Sequence, residues 1–218
     1  MCGSDSLVAP RASQDRTREE SRNNRSVRHP LLPDGTLLSS KLTISSGGLG
    51  HFAILFAAAL GADTTALTTQ ADKEADAKKL GAKRVINTSE KDWQKPYAFE
   101  FDYLLNSADA THKMDIQQYL STLNVNGELH HVGLPDGPLQ QMMAQDFTVN
   151  GCKMGASHIG NRPEMLEMLK FISEKKLKPI VQTLPVSEKA CAEAVQKVHD
   201  NDVRYRFCLT DYDKAFGS

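Results

Sequence analysis

The chain has 218 residues, of which 40% are hydrophobic and 24% charged, and its formal net charge is −1. That length suffices for one domain with a substantial core and some additional chain. The near-neutral charge excludes the broad basic surface that attracts nucleic acid or anionic membranes, and no stretch approaches the roughly 20 apolar residues of a membrane helix. We therefore expect neither nucleic acid nor a membrane as a partner.

The cysteines and the N-terminal composition bear on location and organisation. The four cysteines, Cys2, Cys152, Cys191 and Cys208, lack metal-binding spacing, and no secretory signal is recognisable. We therefore expect reduced thiols and a cytoplasmic protein, with Cys191 and Cys208 as small apolar core residues. Residues 1–40 contain a polar, arginine-rich stretch with little to bury, so this segment is predicted to be largely disordered.

From Lys41 onward, short β-like runs alternate with helical periodicity. Strands are predicted, in chain order, at Lys41–Ser45, Thr64–Thr68, Arg84–Asn87, Phe101–Leu105, Glu128–Val132 and Phe147–Met154. Between them the apolar spacing predicts helices that include Phe52–Ala59, Asp72–Leu80 and Met114–Leu123. Strands separated by helices of this length indicate βαβ units, so the predicted fold is α/β, a Rossmann-type doubly wound parallel sheet with helices on both faces.

The C-terminal part continues in the same style. Asn161 and Glu164 have the spacing of a capping box, and an apolar helical face follows, formed by Met165, Met168, Leu169 and Ile172. Ser187 is predicted to cap a second helix with a buried stripe of Cys191, Ala194, Val195 and Val198. A last strand is predicted at Tyr205–Leu209.

A glycine-rich turn, Ser45-Ser46-Gly47-Gly48-Leu49-Gly50, connects the first predicted strand to the first predicted helix. In a dinucleotide-binding fold such glycines permit a tight turn and close approach of a diphosphate to backbone N–H groups at a helix N-terminus. Ser45 stands at the first position of the GxGxxG pattern, which leaves a plain strand-to-helix turn as the alternative. The flanking strand, helix and second strand favour dinucleotide binding.

The end of the second predicted strand indicates which dinucleotide binds. NAD-binding proteins place Asp or Glu there to hold the ribose 2′-hydroxyl, whereas this chain has Thr68 and Thr69, followed by Lys73. A hydroxyl donates a hydrogen bond to a phosphate that a carboxylate would repel, and a lysine adds positive charge. These residues favour NADP over NAD, and a solvated lysine at a helix start is the alternative interpretation of Lys73.

Four motifs occur in a characteristic order: Gly47-Gly-Leu-Gly-His-Phe-Ala-Ile54, Leu80-Gly-Ala82, Val132-Gly-Leu-Pro135 and Asp202-Val-Arg-Tyr-Arg-Phe207. Together they resemble the zinc-type medium-chain alcohol dehydrogenases, in the branch of cinnamyl alcohol dehydrogenases and their NADP-dependent fungal relatives. The resemblance extends from about Lys41 to Phe216.

Carried over residue by residue, the resemblance implies a set of cofactor contacts. The diphosphate loop falls on Gly47, Gly48, Leu49 and Gly50, and the 2′-phosphate residues on Thr68 and Lys73. The nicotinamide side falls on Ser107, Val132, Gly133 and the segment Gly155–Ile159, which includes Ser157 and Ile159. Arg204 matches an arginine that the family uses near the cofactor, with a surface strand residue as the alternative.

The resemblance also implies an N-terminal catalytic domain that supplies zinc through Cys, a Gly-His-Glu segment and a later Cys. This sequence contains no Gly-His-Glu, and only Cys2-Gly-Ser-Asp5 resembles the first ligand motif. One thiol does not hold Zn²⁺, which takes about four ligands. We therefore expect no metal site and no catalytic residue, with residues 1–40 as the remnant of a lost catalytic domain and 41–218 as the dinucleotide-binding domain.

The predicted function is thus the NADP(H)-binding domain of an alcohol or aldehyde oxidoreductase, catalytically incompetent alone. A non-binding Rossmann-like remnant that acts as an interaction protein or pseudoenzyme is the alternative. A short-chain dehydrogenase is excluded because none of the five tyrosines has a lysine four residues later. Related dehydrogenases pair their cofactor domains edge to edge, which implies a homodimer, or a tendency to aggregate, through Phe147–Ser157.

Overall fold

The computed structural model describes residues 41–45, 47–108, 114–134, 137–200 and 202–217. The predicted disorder of residues 1–40 and the zinc-ligand motif at Cys2 lie outside the described residues. Among those described, no helix is both long and apolar enough to cross a bilayer.

The described residues contain a six-stranded sheet. Its strands are β1 (Lys41–Ser45), β2 (Asp63–Thr68), β3 (Arg84–Asn87), β4 (Phe101–Asn106), β5 (Leu123–His131) and β6 (Lys153–Ala156). They lie in the order β3-β2-β1-β4-β5-β6, and every neighbouring pair is parallel. The strand order reverses between β1 and β4, which is the switch point of a doubly wound sheet. The predicted Rossmann-type fold is confirmed.

Helices cross between these strands. They are α1 (Gly50–Ala59), α2 (Glu74–Lys79), α3 (Ile116–Thr122) and the short α4 (Gln145–Thr148), and a 3₁₀ turn at Ala71–Lys73 precedes α2. Gly61 and Gly81 follow the ends of the first two helices and have φ angles of 89° and 109°, a region that favours glycine. At Gly81 an added Cβ would lie 2.5 Å from the Ala58 Cβ, so α1 also packs closely there.

The core lies between the sheet and the helices that cover it. Its side chains come from β2, β3, β4 and β5, from α3, from the loop after β3 and from the turn before β6, and they are Leu67, Ile86, Trp93, Phe101, Leu104, Ile116, Leu120, Leu123, Leu129 and Cys152. A core of this kind fixes the carboxyl ends of the strands, which is where a site in such a sheet is built.

One strand prediction is wrong in its first half. Phe147 and Val149 do not belong to a strand, because Gln145–Thr148 forms the helical turn α4 and β6 begins only at Lys153. Phe147 packs against the core from that turn, and Asp146 accepts a hydrogen bond from the Met143 N–H at 2.8 Å. A short apolar run does not distinguish a strand from a buried helical turn.

The C-terminal part consists of α5 (Arg162–Lys175), β7 (Gln182–Pro185), α6 (Glu188–His199), β8 (Phe207–Thr210) and α7 (Tyr212–Phe216). Strands β7 and β8 pair in parallel and form a sheet of their own; β7 was not among the predicted strands. The predicted caps are confirmed: Asn161 and Glu164 form a capping box, and Ser187 accepts a hydrogen bond from the Ala190 N–H. A single dinucleotide-binding domain at 41–218 stays a prediction.

The predicted burial of this part is wrong. Val195 and Val198 on α6 are 70% and 57% exposed, Cys208 is exposed and Cys191 is half-buried. On α5, Met165, Met168 and Leu169 are also exposed. The periodicity correctly predicts an apolar side on each helix, but it does not show whether another element covers that side.

Candidate cofactor site

The carboxyl ends of the central strands meet at the switch point of the six-stranded sheet. The glycine loop, Gly47–Gly50, follows β1 there, Ser107 and Ala108 follow β4, and Val132 and Gly133 follow β5. In open α/β sheets, ligands bind in the crevice outside this point. The sequence-predicted loop residues therefore lie where the fold places a ligand.

The glycine loop leads into an uncapped helix N-terminus. Leu49 is the N-cap residue of α1 and makes no side-chain cap hydrogen bond. A Cβ added to Gly47 would meet nothing within 4 Å, so the space beside this residue is open. The first N–H groups of a helix lack intrahelical partners and carry the positive end of its dipole. The loop therefore has the features of an anion site.

His51 fixes the conformation of this loop from inside the protein. Its backbone N–H donates to the Gly47 carbonyl at 3.0 Å, and its ring Nδ1 lies 2.7 Å from the Gly48 carbonyl oxygen. A carbonyl only accepts, so Nδ1 carries the proton in this contact. Burial lowers the pKa of His51, and the nearby Arg206 charge lowers it further. His51 is thus a neutral structural donor.

The end of β2 offers two polar side chains to a ligand. The Thr68 hydroxyl is engaged locally, since it accepts from the Gln70 N–H at 3.0 Å, and Thr68 is 6% exposed. Thr69 is exposed, and Lys73 is half-buried at the end of the 3₁₀ turn. Within the described ranges Lys73 forms no ion pair. The hydroxyl of Thr69 and the ammonium of Lys73 are therefore available, whereas Thr68 shapes the turn.

Asn106, at the end of β4, was not identified from the sequence. Its Nδ2 lies 3.0 Å from His131 Nδ1, and its Oδ1 accepts from the Ala108 N–H at 3.0 Å. Its backbone carbonyl accepts from the N–H groups of Val132 and Gly133, at 2.9 and 3.4 Å. Asn106 is 1% exposed and connects the segments that follow β4 and β5. The feature of the sequence that could have identified Asn106 is an amide side chain directly after a predicted central strand.

His131 is the buried partner of Asn106. Because an amide nitrogen only donates, the His131 Nδ1 accepts, and the ring proton resides on Nε2. Burial lowers the pKa of His131, and the adjacent His130 lowers it further. His130 and His131 are both buried, and His130 Nδ1 lies 2.8 Å from Glu128 Oε1.

The remaining sequence-predicted residues differ in their exposure and in the contacts they make. Ser107 is half-buried at the crevice, and the Ser157 N–H donates to the His131 carbonyl at 3.0 Å. Ile159 is 85% exposed. Arg204 contacts α2, where its Nε lies 2.6 Å from Asp76 Oδ2, and this hydrogen bond lowers the pKa of Asp76. It is the neighbouring Arg206, missed from the sequence, whose guanidinium lies over Gly48.

Comparison with known proteins identifies the family. Residues 48–174 match the family described as zinc-binding dehydrogenase. The chain belongs to this family. Among curated relatives, NADP-dependent alcohol dehydrogenase 6 of Saccharomyces cerevisiae is 32% identical over 192 residues, which cover 87% of this chain and 53% of the relative. NADP-dependent alcohol dehydrogenase C 1 of Mycolicibacterium smegmatis is 35% identical over 170 residues, which cover 76% of this chain and 46% of the relative.

Two solved structures agree with the observed fold. A cinnamyl alcohol dehydrogenase of Sorghum bicolor superposes with a TM-score of 0.71 and 27% identity, over 77% of this chain and 47% of that chain. A CAD from Helicobacter pylori, complexed with NADP(H), superposes with a TM-score of 0.65 and 26% identity, over 78% of this chain and 46% of that chain. The predicted resemblance is confirmed, and the chain spans about half the length of the curated relatives it matches.

The described residues at the switch point have features that suit a dinucleotide and none of the clusters that hold a metal. The open space at Gly47 and the uncapped start of α1 suit a diphosphate. In the ranges that the structure describes, no three His, Cys, Asp or Glu side chains come together as a metal site. Cys2 lies outside those ranges, so the absence of a zinc site from the whole chain stays a prediction.

Proposed function

We propose that the described domain binds NADP(H) in the crevice at the switch point, as the cofactor-binding part of a zinc-type alcohol dehydrogenase. The observation that carries the proposal is the open glycine loop at an uncapped helix N-terminus, at the point where the strand order reverses. The relatives named as NADP-dependent and the NADP(H) complex of the Helicobacter pylori protein support it.

Each part of the crevice has a role in this proposal. The N–H groups at the start of α1 bind the diphosphate, and Thr69 and Lys73 hold the 2′-phosphate. Asn106 holds the segments after β4 and β5 in register on the nicotinamide side. Bound nicotinamide supplies the hydride-accepting or hydride-donating ring.

Alcohol oxidation and aldehyde reduction are activities that we propose only for a whole dehydrogenase, which has a catalytic domain as well as the cofactor-binding domain. Among the described residues, no three His, Cys, Asp or Glu side chains come together to hold a metal that would act as a Lewis acid, and proximity to a reacting partner is worth several kcal/mol in such reactions. We therefore propose that this chain alone oxidises alcohols with NADP and reduces aldehydes with NADPH at or near the background rate.

A lysine substitution tests the cofactor preference. Wild-type protein is titrated with NADPH and NADH, and NADPH is expected to bind more tightly because Lys73 and Thr69 favour a 2′-phosphate. Lys73→Ala is expected to lower NADPH affinity by about 1–3 kcal/mol, the scale of a charge-assisted hydrogen bond, and to leave NADH affinity unchanged. Lys78→Ala, which removes an exposed lysine paired with Glu74, is the matched control.

The titration also separates this function from its alternative. Equal affinities for NADH and NADPH would refute the preference while leaving dinucleotide binding intact. Binding of neither cofactor by the wild-type protein would favour a Rossmann-like fold that serves as an interaction protein.

We further propose a homodimer formed through β6 and residues near it. Strand β6 is at the edge of the six-stranded sheet, and an unpaired edge invites strand pairing. Val149, shortly before β6, is 75% exposed. We expect a dimer in size-exclusion chromatography with light scattering, and a monomer at high protein concentration would contradict this.

A cytoplasmic location is proposed as well, because Cys152, Cys191 and Cys208 are free thiols.

A further inference from the structure

The segment that carries the proposed 2′-phosphate residues has no buried anchor of its own. Every one of residues 69–75 is exposed or half-buried, whereas Thr68 before them and Asp76 after them are 6% and 5% exposed. Thr68 ends β2, so the large sheet fixes its position. The side chains of Thr69 and Lys73 are therefore positioned from the two ends of this segment, by Thr68 on β2 and by Asp76 on α2.

Asp76 is held by side chains from the C-terminal part of the chain. Its Oδ2 accepts from Arg204 Nε at 2.6 Å, and the Tyr205 hydroxyl donates a further hydrogen bond to its carboxylate. The Arg204 N–H in turn donates to Gln182 Oε1 at 2.9 Å, which connects these contacts to β7. The other buried residue of α2 is Ala77, whose methyl group gives no directional contact. The first turn of α2 is thus oriented by the Asp76 carboxylate.

Tyr205 contacts the start of α1 as well as α2. It is 4% exposed, its φ angle of 72° lies in the left-handed region that a tyrosine rarely adopts, and its ring lies 4.8 Å from the His51 ring. His51 donates to the Gly48 carbonyl of the glycine loop. Burial, followed by the Asp76 charge, raises the pKa of Tyr205 to about 12, so its hydroxyl keeps its proton at neutral pH. One buried tyrosine therefore contacts both the helix after the glycine loop and the helix after residues 69–75.

We propose that Asp76 and Tyr205 are positioning residues for the 2′-phosphate segment, residues 69–75, and that they thereby set the preference for NADPH over NADH. This inference rests on the proposed NADP(H) function and deepens it. A cofactor that contacts both the glycine loop and Lys73 needs the two at one spacing, whereas NADH has no 2′-phosphate to reach Lys73. A segment that is held in place before the ligand arrives also avoids the cost of being ordered on binding.

The ratio of NADPH affinity to NADH affinity tests this proposal. Tyr205→Phe removes the hydroxyl that bonds to Asp76 and keeps the ring beside His51. It is expected to lower the NADPH-to-NADH affinity ratio by about three- to tenfold, the effect of one lost hydrogen bond, with NADH affinity unchanged. A merely structural role would reduce the folded fraction and weaken both cofactors alike, so it would leave the ratio unchanged.

Asp76→Asn separates positioning from charge. It keeps the size of the side chain but removes a negative charge from the helix after Lys73 and weakens the bond to Arg204. Electrostatics alone predicts tighter NADPH binding, because the 2′-phosphate is an anion, whereas positioning predicts weaker NADPH binding and a ratio at least as low as in Tyr205→Phe. Glu74→Gln is the matched control, since it removes an exposed carboxylate of the same helix that pairs with Lys78, and it is expected not to lower the ratio.

Hydrogen–deuterium exchange of the ligand-free protein provides a readout that does not depend on binding. Tyr205→Phe is expected to speed exchange in residues 71–79, which form the 3₁₀ turn and α2, and to leave exchange in β4 unchanged. Equal exchange of residues 71–79 in the variant and the wild type would overturn the anchoring role.

The outcomes distinguish this inference from the function on which it rests. An unchanged ratio in Tyr205→Phe, or tighter NADPH binding by Asp76→Asn, would overturn the inference, and a wild-type protein that prefers NADPH would leave the proposed function intact. Wild-type protein that binds both cofactors equally would overturn the preference together with this inference, while dinucleotide binding would stand. Wild-type protein that binds neither cofactor would overturn both proposals.

Discussion

Replacement of Asn106 by Ala is expected to destabilise the protein far more than its small size suggests. The side chain is 1% exposed and makes two hydrogen bonds, one to His131 and one from the Ala108 N–H. Each buried group left without a partner costs about 1–3 kcal/mol, so we expect the loss of two partners to lower the free energy of unfolding by about 2–6 kcal/mol. At about 2–4 °C per kcal/mol for a domain of this size, the melting temperature falls by about 4–24 °C.

Asn124 provides a matched control for this substitution. Its Nδ2 donates to Asp102 Oδ1 at 3.2 Å, and its Oδ1 accepts from the Val125 N–H at 2.8 Å, so it makes the same two kinds of bond. It is exposed, and water replaces these partners, so Asn124→Ala is expected to change stability by less than about 0.5 kcal/mol.

Urea unfolding of both variants, followed by circular dichroism, measures the difference. Asn106→Leu, which keeps the branching at Cγ and fills the site without hydrogen-bonding atoms, separates the loss of hydrogen bonds from the effect of a cavity and is expected to be nearly as destabilising as Asn106→Ala. Equal stability losses in Asn106→Ala and Asn124→Ala would refute the structural role assigned to Asn106.

Two further predictions concern pH and glycine substitution. The pKa of His131 is lowered below its ordinary value of 6.5, so the unfolded chain binds a proton that the folded protein excludes, and stability should decrease as pH falls below about 6.5. His51 acts in the same direction, so melting temperatures between pH 8 and pH 5 that stay constant would contradict this account. Gly81→Ala should be more destabilising than Gly61→Ala, because both have positive φ but only at Gly81 would the new methyl meet Ala58, at 2.5 Å. Equal unfolding midpoints in urea for the two variants would show that this contact is unimportant.

The sequence predicts local structure well where the signal is local. The bounds of β1 and β3 are as predicted, and so are the capping box at Asn161 and the cap at Ser187. These features depend on residues within one or two turns of each other, and the order of strands and helices then leads to the parallel sheet.

The predictions fail, or miss a residue, where the structure depends on residues that are far apart in the sequence. The apolar stripe that includes Val195 and Val198 was predicted to be buried, but periodicity does not report what lies opposite a helix. Arg206 was missed because its position depends on the left-handed backbone of Tyr205, and nothing about a tyrosine indicates that conformation in advance. Asn106 was missed because its side-chain partner His131 comes beside it only when β4 and β5 pair.

The Arg204–Arg206 segment connects two sheets that share no strand pairing. Its arginines contact α2 and the glycine loop of the large sheet, while the Arg204 N–H and the Arg206 carbonyl bond to Gln182 of β7. A ligand that engages Arg206 therefore binds the docked arrangement of this segment in preference to a detached one. By mass action, occupancy of the crevice should suppress local opening of β7 and β8, so that a protease cutting within residues 182–210 becomes a reporter of ligand binding at the loop.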